Sequence, residues 1–278
     1  NGVEIEMRLI IDGTNQMYRA FYAVKGGLSH KGVPTNAVIG FYRMMFSYLR
    51  RFQPDELLIV FDNRGKNFRH ELWPEYKGTR DKDPAIQESL RTQLPIIMQL
   101  AVYCGFCVVS KYGVEADDII GAAANCKSLI SSGDKDFAQL VSKKVRLYNP
   151  NKDAIITPKN CKQYFGVEAD RIIDFLILDG DSIDNIPGVP GVGTVTAQKL
   201  IEAYDDLLEI PLEKFPKKSR NEETYEIIRR NRELVTIRRD VYDVSNLDMR
   251  IGPASVDAAM KLCRRYGLHT LEQSILSI

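Results

Sequence analysis

The chain has 278 residues, of which 44% are apolar, so it can bury a sizeable core in one large domain or in a main domain with an appendage. Its 38 basic and 37 acidic residues nearly balance, which argues against a uniformly basic surface. No apolar run approaches the roughly eighteen residues of a membrane span, and the sequence does not open with a signal-peptide pattern. We therefore expect a soluble, cytoplasmic protein with no membrane partner.

The five cysteines are an odd number and do not form a metal-binding pattern. Cys104 and Cys107 are the only CxxC pair, and a zinc site would need a second pair of Cys or His residues. The three histidines, His30, His70 and His269, are scattered singly. Buried, reduced thiols are the better interpretation.

The chain opens with a short apolar strand, Arg8–Asp12, whose acidic residue lies at its carboxyl end. Helices are predicted over residues 15–24 and 37–52, and the second is strongly amphipathic. The opening pattern then recurs, because residues 56–62 form another apolar strand that ends in Asp62. This alternation is typical of the α/β class.

Residues 63–93 form a long insertion in which basic and aromatic residues are mixed. Two interpretations are open, since a charged run is usually a solvated face, whereas cations interleaved with aromatic rings also suit a phosphate backbone with unstacked bases. Phe68, Trp73 and Tyr76 are the aromatic residues. The basic residues are Arg64, Lys66, Arg69, Lys77, Arg80 and Lys82.

A third predicted strand, residues 106–110, leads into the acidic cluster of Glu115, Asp117 and Asp118 at the start of a helix. Taken alone, this cluster is weak evidence for a metal site, because acids in the first turn of a helix are favoured by its unpaired amides and dipole. A fourth strand, residues 129–134, ends in further acids. In an open parallel sheet the ligand crevice lies outside the carboxyl ends of the strands, so these acids should converge.

More acids, Asp181 and Asp184, follow a helix predicted over residues 171–178, and a glycine-rich loop comes directly behind them. A Walker A motif would require Lys where the chain has Thr194, and a dinucleotide fingerprint would require Gly where it has Thr196. The loop joins two helices, so a hairpin that offers backbone amides to a phosphodiester fits better. A simple tight turn between helices is the alternative.

So many carboxylates in one place would raise one another's pKa values unless divalent cations neutralised them. Oxygen ligands select hard ions, Mg²⁺ or Mn²⁺. Two such ions roughly 4 Å apart can activate water and stabilise the leaving oxygen of a phosphodiester. The residues alone therefore indicate metal-dependent hydrolysis of a nucleic acid.

Six motifs extend over nearly the whole chain: Asp12–Asn15, Phe61–Arg69, Tyr76–Arg80, Gly113–Asp118, Ser132–Asp136 and Gly180–Gly193. In this order they resemble the 5′ nuclease family, which comprises the flap endonucleases and 5′–3′ exonucleases of phages and the 5′ nuclease domain of bacterial DNA polymerase I. The resemblance implies a PIN-like α/β fold with a central, mostly parallel sheet flanked by helices. It places an α/β nuclease domain at 1–160, with a helical arch insertion at about 63–95, and a helical DNA-binding region at 161–278, with a helix–hairpin–helix at about 170–204.

The activity implied by the resemblance is that of a Mg²⁺-dependent 5′–3′ exonuclease or flap endonuclease, which hydrolyses DNA at 5′ flaps and 5′ ends during replication and repair. Two Mg²⁺ ions are implied, for which Mn²⁺ would substitute, and a K⁺ ion at the helix–hairpin–helix. The implied partner of a monomeric enzyme is flapped, nicked or 5′-ended duplex DNA, with RNA–DNA hybrids as a further substrate. The enzyme would act in the cytoplasm of a bacterium or a phage-infected cell.

The family's residue roles are carried over only where the residues match. The resemblance makes Lys77 and Arg80 catalytic cations at the base of the arch, and it places Asp118 between the two metal sites or next to their ligands. Its metal ligands are Asp12, Asp62, Glu115 and Asp117 for one ion, and Asp134, Asp136, Asp181 and Asp184 for the other. Its DNA-binding residues are Arg64, Lys66, Arg69, Tyr76, Gly188, Gly191, Gly193, Thr194 and Lys199.

One departure from the family is the short spacing between Asp118 and Asp134, which means either that the helix between them is curtailed or that residues are missing from this stretch. Two other functions are weighed against the nuclease. A non-catalytic protein that binds DNA junctions would have little use for nine acids facing a polyanion. A PIN-like ribonuclease shares the acids at the strand ends but does not explain the hairpin between Gly188 and Gly193.

Overall fold

The computed structural model of the chain describes residues 7–24, 27–79 and 83–278. Strands and α-helices in these ranges are numbered in chain order. The strands are β1 (Arg8–Asp12), β2 (Ser29–His30), β3 (Val33–Pro34), β4 (Glu56–Val60), β5 (Cys107–Val109), β6 (Ser128–Ser131), β7 (Val145–Asn149), β8 (Ala154–Ile156), β9 (Gly180–Asp181) and β10 (Ile186–Pro187). The helices are α1 (Gly13–Ala23), α2 (Asn36–Phe52), α3 (Phe68–Leu72), α4 (Pro84–Tyr103), α5 (Ala116–Ala123), α6 (Cys161–Phe165), α7 (Ile172–Asp179), α8 (Thr194–Ala203), α9 (Glu223–Val235), α10 (Val256–Tyr266) and α11 (Glu272–Ile275).

A six-stranded sheet with the order β5-β4-β1-β6-β7-β8 lies at the centre of the fold. Neighbouring strands are parallel except for β7 and β8, which are antiparallel. Asp12 pairs with Val60, and Ile11 with Ser131, so the carboxyl ends of β1, β4 and β6 lie level with one another. The prediction of a mostly parallel sheet flanked by helices is confirmed.

Each face of the sheet contributes to its own apolar core. Ile10 belongs to a core shared with α5, α7 and α9, whereas Leu9 and Ile11 belong to a core shared with α1, α2 and α4. Because helices cover both faces, β1 and β4 are buried along their whole length and show no alternation with polar residues.

The short spacing before Asp134 is accommodated as predicted, since α5 has only eight residues. Arg8, at the start of β1, closes this helix by donating to the carbonyl of Ala123 at 2.6 Å. Its charge is balanced by Glu56, whose carboxylate lies 2.6 Å from Arg8 Nε in a buried ion pair. The guanidinium thus takes up a carbonyl that the short helix would otherwise leave unpaired.

The predicted helix–hairpin–helix is formed by α7, the segment 180–193 and α8. The hairpin packs tightly on the end of α7, where Val189 donates its amide to the carbonyl of Leu178 at 2.9 Å. A Cβ atom on Gly188 would lie 2.5 Å from the same carbonyl, so only glycine fits.

No α-helix in the described part of the chain is both long enough and apolar enough to cross a membrane. The insertion predicted at 63–95 contains α3 and the first part of α4, and α4 continues to Tyr103. Residues 80–82, which include the predicted catalytic residue Arg80, lie outside the described residues.

Gln93 provides a test of how α4 is fixed to α2. Its side chain is fully buried, and its Oε1 atom accepts from the amides of Ala37 and Val38 at 2.7 and 3.2 Å. Thr35, the residue before α2, makes no capping bond with its side chain, so Gln93 caps this helix from a neighbouring one. Gln93→Ala should therefore lower the free energy of unfolding by about 1–3 kcal/mol, measured by urea denaturation.

The matched control is Gln99→Ala, at an exposed position on the same helix. It should change the free energy of unfolding by less than about 0.5 kcal/mol. Equal stabilities for the two variants would contradict the capping role of Gln93.

Candidate active site

The carboxyl ends of four adjacent parallel strands, β5, β4, β1 and β6, bring the acidic segments together above the sheet. The loop after β9 meets them there, and the resulting open cleft has a volume of about 1320 Å³. All eight carboxylates predicted as metal ligands line this cleft: Asp12, Asp62, Glu115, Asp117, Asp134, Asp136, Asp181 and Asp184.

Asp12 is fixed in its position by the start of α1 and by the segment after β6. Its Oδ1 atom accepts from the amide of Asn15 at 2.9 Å, and its Oδ2 atom accepts from the Ser132 hydroxyl at 2.7 Å. Burial raises the pKa of Asp12 to about 7, and the nearby charge of Asp62 adds to this increase despite the two hydrogen bonds. Asp12 is therefore an ordered, desolvated carboxylate with no cation of its own in these contacts.

Glu115 has positively charged partners on two sides. Lys77 Nζ lies 2.8 Å from its Oε1 atom, and Arg69 Nη1 lies 2.9 Å from its Oε2 atom. Although burial acts to raise the pKa of Glu115, these two cations lower it below its ordinary value. Burial in turn opposes the charge of Lys77, but the carboxylates of Glu115, Asp117 and Asp184 raise the Lys77 pKa above its ordinary value. Both groups are charged at neutral pH.

Asp117, Asp134 and Asp136 are partly buried and form no ion pair among the described residues, and their pKa values lie above the ordinary range. Burial is the main cause in each case, and repulsion adds to it, between Asp117 and Asp134 and between Asp134 and Asp136. The Oδ1 atom of Asp136 is buried with no hydrogen-bond partner among the described residues. These three groups are poorly satisfied by the protein alone.

Asp181 and Asp184 reach the cleft from the turn between β9 and β10. The Oδ1 atom of Asp181 accepts from the amides of Ile183 and Asp184 at 2.7 and 3.2 Å, which fixes the turn. Lys135 Nζ lies 3.3 Å from Asp181, and Lys77 Nζ lies 3.7 Å from Asp184. The turn therefore faces the cleft with both of its carboxylates.

No three Asp, Glu, His or Cys side chains within the described ranges are arranged to surround one metal ion. The contacts of Lys77 and Lys135 account for part of this, because their ammonium groups hold Glu115 and Asp181. The donor chemistry nevertheless suits a hard divalent cation, since eight oxygen ligands line one cleft. The unpartnered, buried Oδ1 atom of Asp136 supports the same conclusion.

Asp118, predicted to lie between the metal sites or next to their ligands, does not line the cleft in the described structure. It is buried in a bidentate pair with Arg69, with both contacts at 2.8 Å, and also accepts from the amide of Arg238 at 2.9 Å. Its oxygens are thus engaged by the protein. Asp118 acts here as the partner that fixes Arg69.

Two predictions of DNA contact conflict with burial. The Arg69 side chain is only 3% exposed, and besides its carboxylate partners it donates to the carbonyls of Leu234 and Thr236. Tyr76 is buried as well, with its hydroxyl 3.1 Å from Glu115 and 3.0 Å from Asp184. In this structure neither side chain is accessible to a DNA strand, because both are occupied in holding the carboxylates. The basic and aromatic sequence around Arg69 and Tyr76 did not indicate that these side chains would be buried.

The other residues predicted to bind DNA occupy two exposed places. Arg64 and Lys66 are exposed on the loop after β4, and Arg64 lines the cleft. Thr194 and Lys199 are exposed on α8, with Gly191 and Gly193 exposed in the hairpin before it and Gly188 partly buried there.

Several residues that shape the cleft were missed by the sequence analysis. Thr14 accepts the amide of Asp62 at 2.8 Å, and Asn15 accepts the amide of Gly133 at 3.1 Å. Ser132 binds Asp12, and Lys135 faces Asp181. These residues belong to the short motifs already recognised around Asp12 and Asp134. Their position beside a predicted metal ligand was the sequence signal that could have identified them.

Comparison with known families gives two adjacent matches. Residues 7–166 match the family described as 5′-3′ exonuclease, N-terminal resolvase-like domain, and residues 167–257 match the 5′-3′ exonuclease, C-terminal SAM fold. A 5′-3′ exonuclease of Aquifex aeolicus is 38% identical over 207 residues, which cover 72% of this chain and 71% of that protein. DNA polymerase I of Pseudomonas aeruginosa is 39% identical over 73% of this chain, but only 22% of the polymerase is covered.

Solved structures show the same fold. The T5 5′-exonuclease with bound zinc ions has a TM-score of 0.70 and 22% identity, with coverage of 98% of this chain and 99% of that one. The catalytic core of Rad2 in complex with DNA substrate has a TM-score of 0.63 and 15% identity, with coverage of 97% and 91%. Since two adjoining family matches extend over residues 7–257, and the Aquifex aeolicus exonuclease is 38% identical, the chain belongs to the 5′-3′ exonuclease family of nucleases.

Proposed function

We propose that the chain is a structure-specific 5′ nuclease that hydrolyses DNA phosphodiesters at 5′ flaps and 5′ ends. The observation that carries the proposal is the convergence of eight carboxylates from five segments on one open cleft. A polyanionic substrate could not approach such a surface unless cations neutralised it. Divalent metal ions held by these carboxylates would resolve this conflict.

The cations that fit are two Mg²⁺ ions, with Mn²⁺ as a substitute, because both prefer oxygen ligands. Asp12, Asp62, Glu115 and Asp117 would hold one ion, and the acids after β6 and β9 would hold the other. When bound, such ions supply Lewis-acid activation of water and charge neutralisation at the phosphate. The T5 and Rad2 structures, which share this fold, contain zinc ions and a DNA substrate respectively, and this supports binding of metal ions and DNA by the fold.

The protein's own groups orient the reaction. Lys77 projects into the cleft on a side chain that is 19% exposed, held by Glu115, and remains charged in this environment. An ammonium group fixed there can stabilise negative charge that develops on a phosphate during cleavage. Ser132 and Asn15 hold Asp12 in place, so this carboxylate needs no reorganisation when the substrate arrives.

The duplex part of the substrate would bind along the helical region. Exposed backbone at Gly191 and Gly193, followed by the exposed start of α8, can receive a phosphodiester, and Lys199 on α8 adds a charge. A K⁺ ion at the hairpin would strengthen this contact. We assign the nuclease domain to residues 1–160, and duplex binding to residues 161–278, which also contribute Asp181 and Asp184 to the cleft, in a monomer that also accepts RNA–DNA hybrids.

Without metal ions, the raised pKa values of the carboxylates should make the protein less stable as the pH rises, and bound metal ions should oppose this loss. The raised pKa of Asp12, about 7, means that its favourable contribution to folding is complete below about pH 4 and is lost as the pH rises through 7. Asp136 has a raised pKa and contributes with the same sign. In EDTA, Asp136→Asn should therefore raise the Tm at about pH 7.5, and this gain should shrink as the pH is lowered towards about 4, measured by calorimetry.

Mg²⁺ should raise the Tm of the unmodified protein at about pH 7.5, by an amount that grows with its concentration. The gain should be smaller for Asp136→Asn, which offers one ligand fewer. A Tm that is indifferent to Mg²⁺ would contradict the proposed metal site.

The nuclease assay uses a 5′-flapped DNA duplex. Cutting near the junction is expected with Mg²⁺ and not with EDTA, and Asp134→Ala should slow it by at least about 10³-fold, because a ligand at the reacting phosphate is lost. DNA affinity measured in Ca²⁺ should survive this substitution. Loss of affinity together with cutting would remove Asp134 from the metal site.

Two outcomes of the same assay would favour other functions. Tight binding of the flapped duplex without any cutting would indicate a junction-binding protein. Faster cutting of a matched RNA flap would indicate a ribonuclease.

Lys77→Ala should slow single-turnover cleavage by about 100-fold, because a fixed cation at the scissile phosphate is removed. Lys143→Ala is the matched control, an exposed lysine at the opposite end of the sheet beside the start of β6. It should leave the rate unchanged. An unaltered rate for Lys77→Ala would exclude Lys77 from the mechanism.

A further inference from the structure

We infer that Trp73 and Asn185 form a clasp that positions Lys77 for the reaction. The inference rests on the proposed nuclease function and adds two positioning residues to it. The clasp joins the segment 73–77, which follows α3, to the turn 184–185, which precedes β10. Neither Trp73 nor Asn185 is among the residues that line the cleft.

Three hydrogen bonds cross between the two segments. Trp73 donates its indole Nε1–H to the carbonyl of Asn185 at 2.9 Å, and Asn185 donates its Nδ2–H to the carbonyl of Glu75 at 2.8 Å. The amide of Lys77 donates to the carbonyl of Asp184 at 2.9 Å. The side chain of each clasp residue thus reaches the main chain of the opposite segment.

The backbone on both sides is held in a conformation that it would rarely adopt alone. Lys77 has φ of 56° and Asn185 has φ of 55°, in the left-handed region. Asparagine tolerates this region better than most residues, but lysine does not. Contacts from the surroundings must stabilise Lys77 in this conformation, and the clasp supplies them on either side of it.

The consequence for Lys77 is a fixed direction. With the Lys77 backbone in the left-handed region, the ammonium group lies 2.8 Å from Glu115 and 3.7 Å from Asp184. It is thus between the predicted ligands of the two metal ions. If the clasp opened, residue 77 could relax to negative φ and the ammonium group would leave this place. Trp73 and Asn185 would then act on cleavage through the position of Lys77.

The clasp also packs against helix α9 of the helical region. The guanidinium of Arg230 on α9 stacks over the Trp73 ring, 4.4 Å from its centre. The next residue, Asn231, is fully buried and donates to the carbonyls of Ile177 and Pro187 at 3.0 and 2.8 Å. The ring is therefore seated on the same helix that fixes the hairpin.

The test uses two variants from opposite sides of the clasp. Trp73→Phe keeps a ring under Arg230 but removes the indole donor, and Asn185→Gly keeps the left-handed backbone but removes the amide donor. Each should slow single-turnover cleavage of the flapped duplex in saturating Mg²⁺ by about tenfold, as expected for a displaced catalytic group. Affinity for the duplex in Ca²⁺ should stay within about twofold of the unmodified protein.

A double-mutant cycle separates positioning from general damage. In the Lys77→Ala background, Trp73→Phe and Asn185→Gly should each change the rate by less than about twofold, because the group that they position is absent. Leu72→Ala, an exposed neighbour, is the control and should leave the rate unchanged. A full tenfold loss of cleavage rate in the Lys77→Ala background would overturn the inference. Unchanged rates when Trp73→Phe and Asn185→Gly are made in the protein that retains Lys77 would overturn it too.

A second readout does not depend on cleavage. Trp73 is the only tryptophan, so its fluorescence reports on the clasp directly. Asn185→Gly should make Trp73 easier to quench with acrylamide, and equal quenching would contradict the clasp. If the unmodified protein cuts no DNA, the proposed function fails, whereas normal cutting with additive effects in the cycle refutes only the clasp.

Discussion

The repulsion among carboxylates at the ends of β5, β4, β1 and β6 is the constraint on which the rest of the structure depends. Burial removes the water that would screen these charges, so the pKa values of Asp117, Asp134 and Asp136 lie above the ordinary range. The fold tolerates this arrangement because its stability comes from two apolar cores on the faces of the sheet. The repulsion at the site thus lowers the stability of the folded protein, and a bound cation would relieve it.

Cations of the protein divide this acidic cluster into two classes. Glu115 and Asp118 are neutralised by Arg69 and Lys77, whereas Asp136 retains an oxygen without a partner among the described residues. The difference lies in α3, which supplies Arg69, and in the segment after it, which supplies Lys77. The insertion that separates β4 from α4 therefore does more than cover the cleft, because it determines which acids are left for a ligand.

Much of this could be predicted from the sequence, for identifiable reasons. The apolar runs that end in acids gave the strand ends, and the order of the motifs gave the family, and both predictions are confirmed. The burial of Arg69 and Tyr76 could not be predicted, because a basic and aromatic pattern is the same for a DNA-binding surface and for a buried network. Partners such as Thr236 are more than a hundred residues away, and no local pattern records them.

The pair of Arg69 and Asp118 also constrains how this sequence can diverge. Loss of Arg69 alone would leave Asp118 as an unpaired charge in the core, at a cost of roughly 3–5 kcal/mol. Loss of Asp118 alone would remove one of the two carboxylates that pair with Arg69, the other being Glu115. The guanidinium also holds two carbonyls at the end of α9, so an apolar substitute would have to leave them satisfied in another way. Descendants of this protein should therefore keep both residues or change them together.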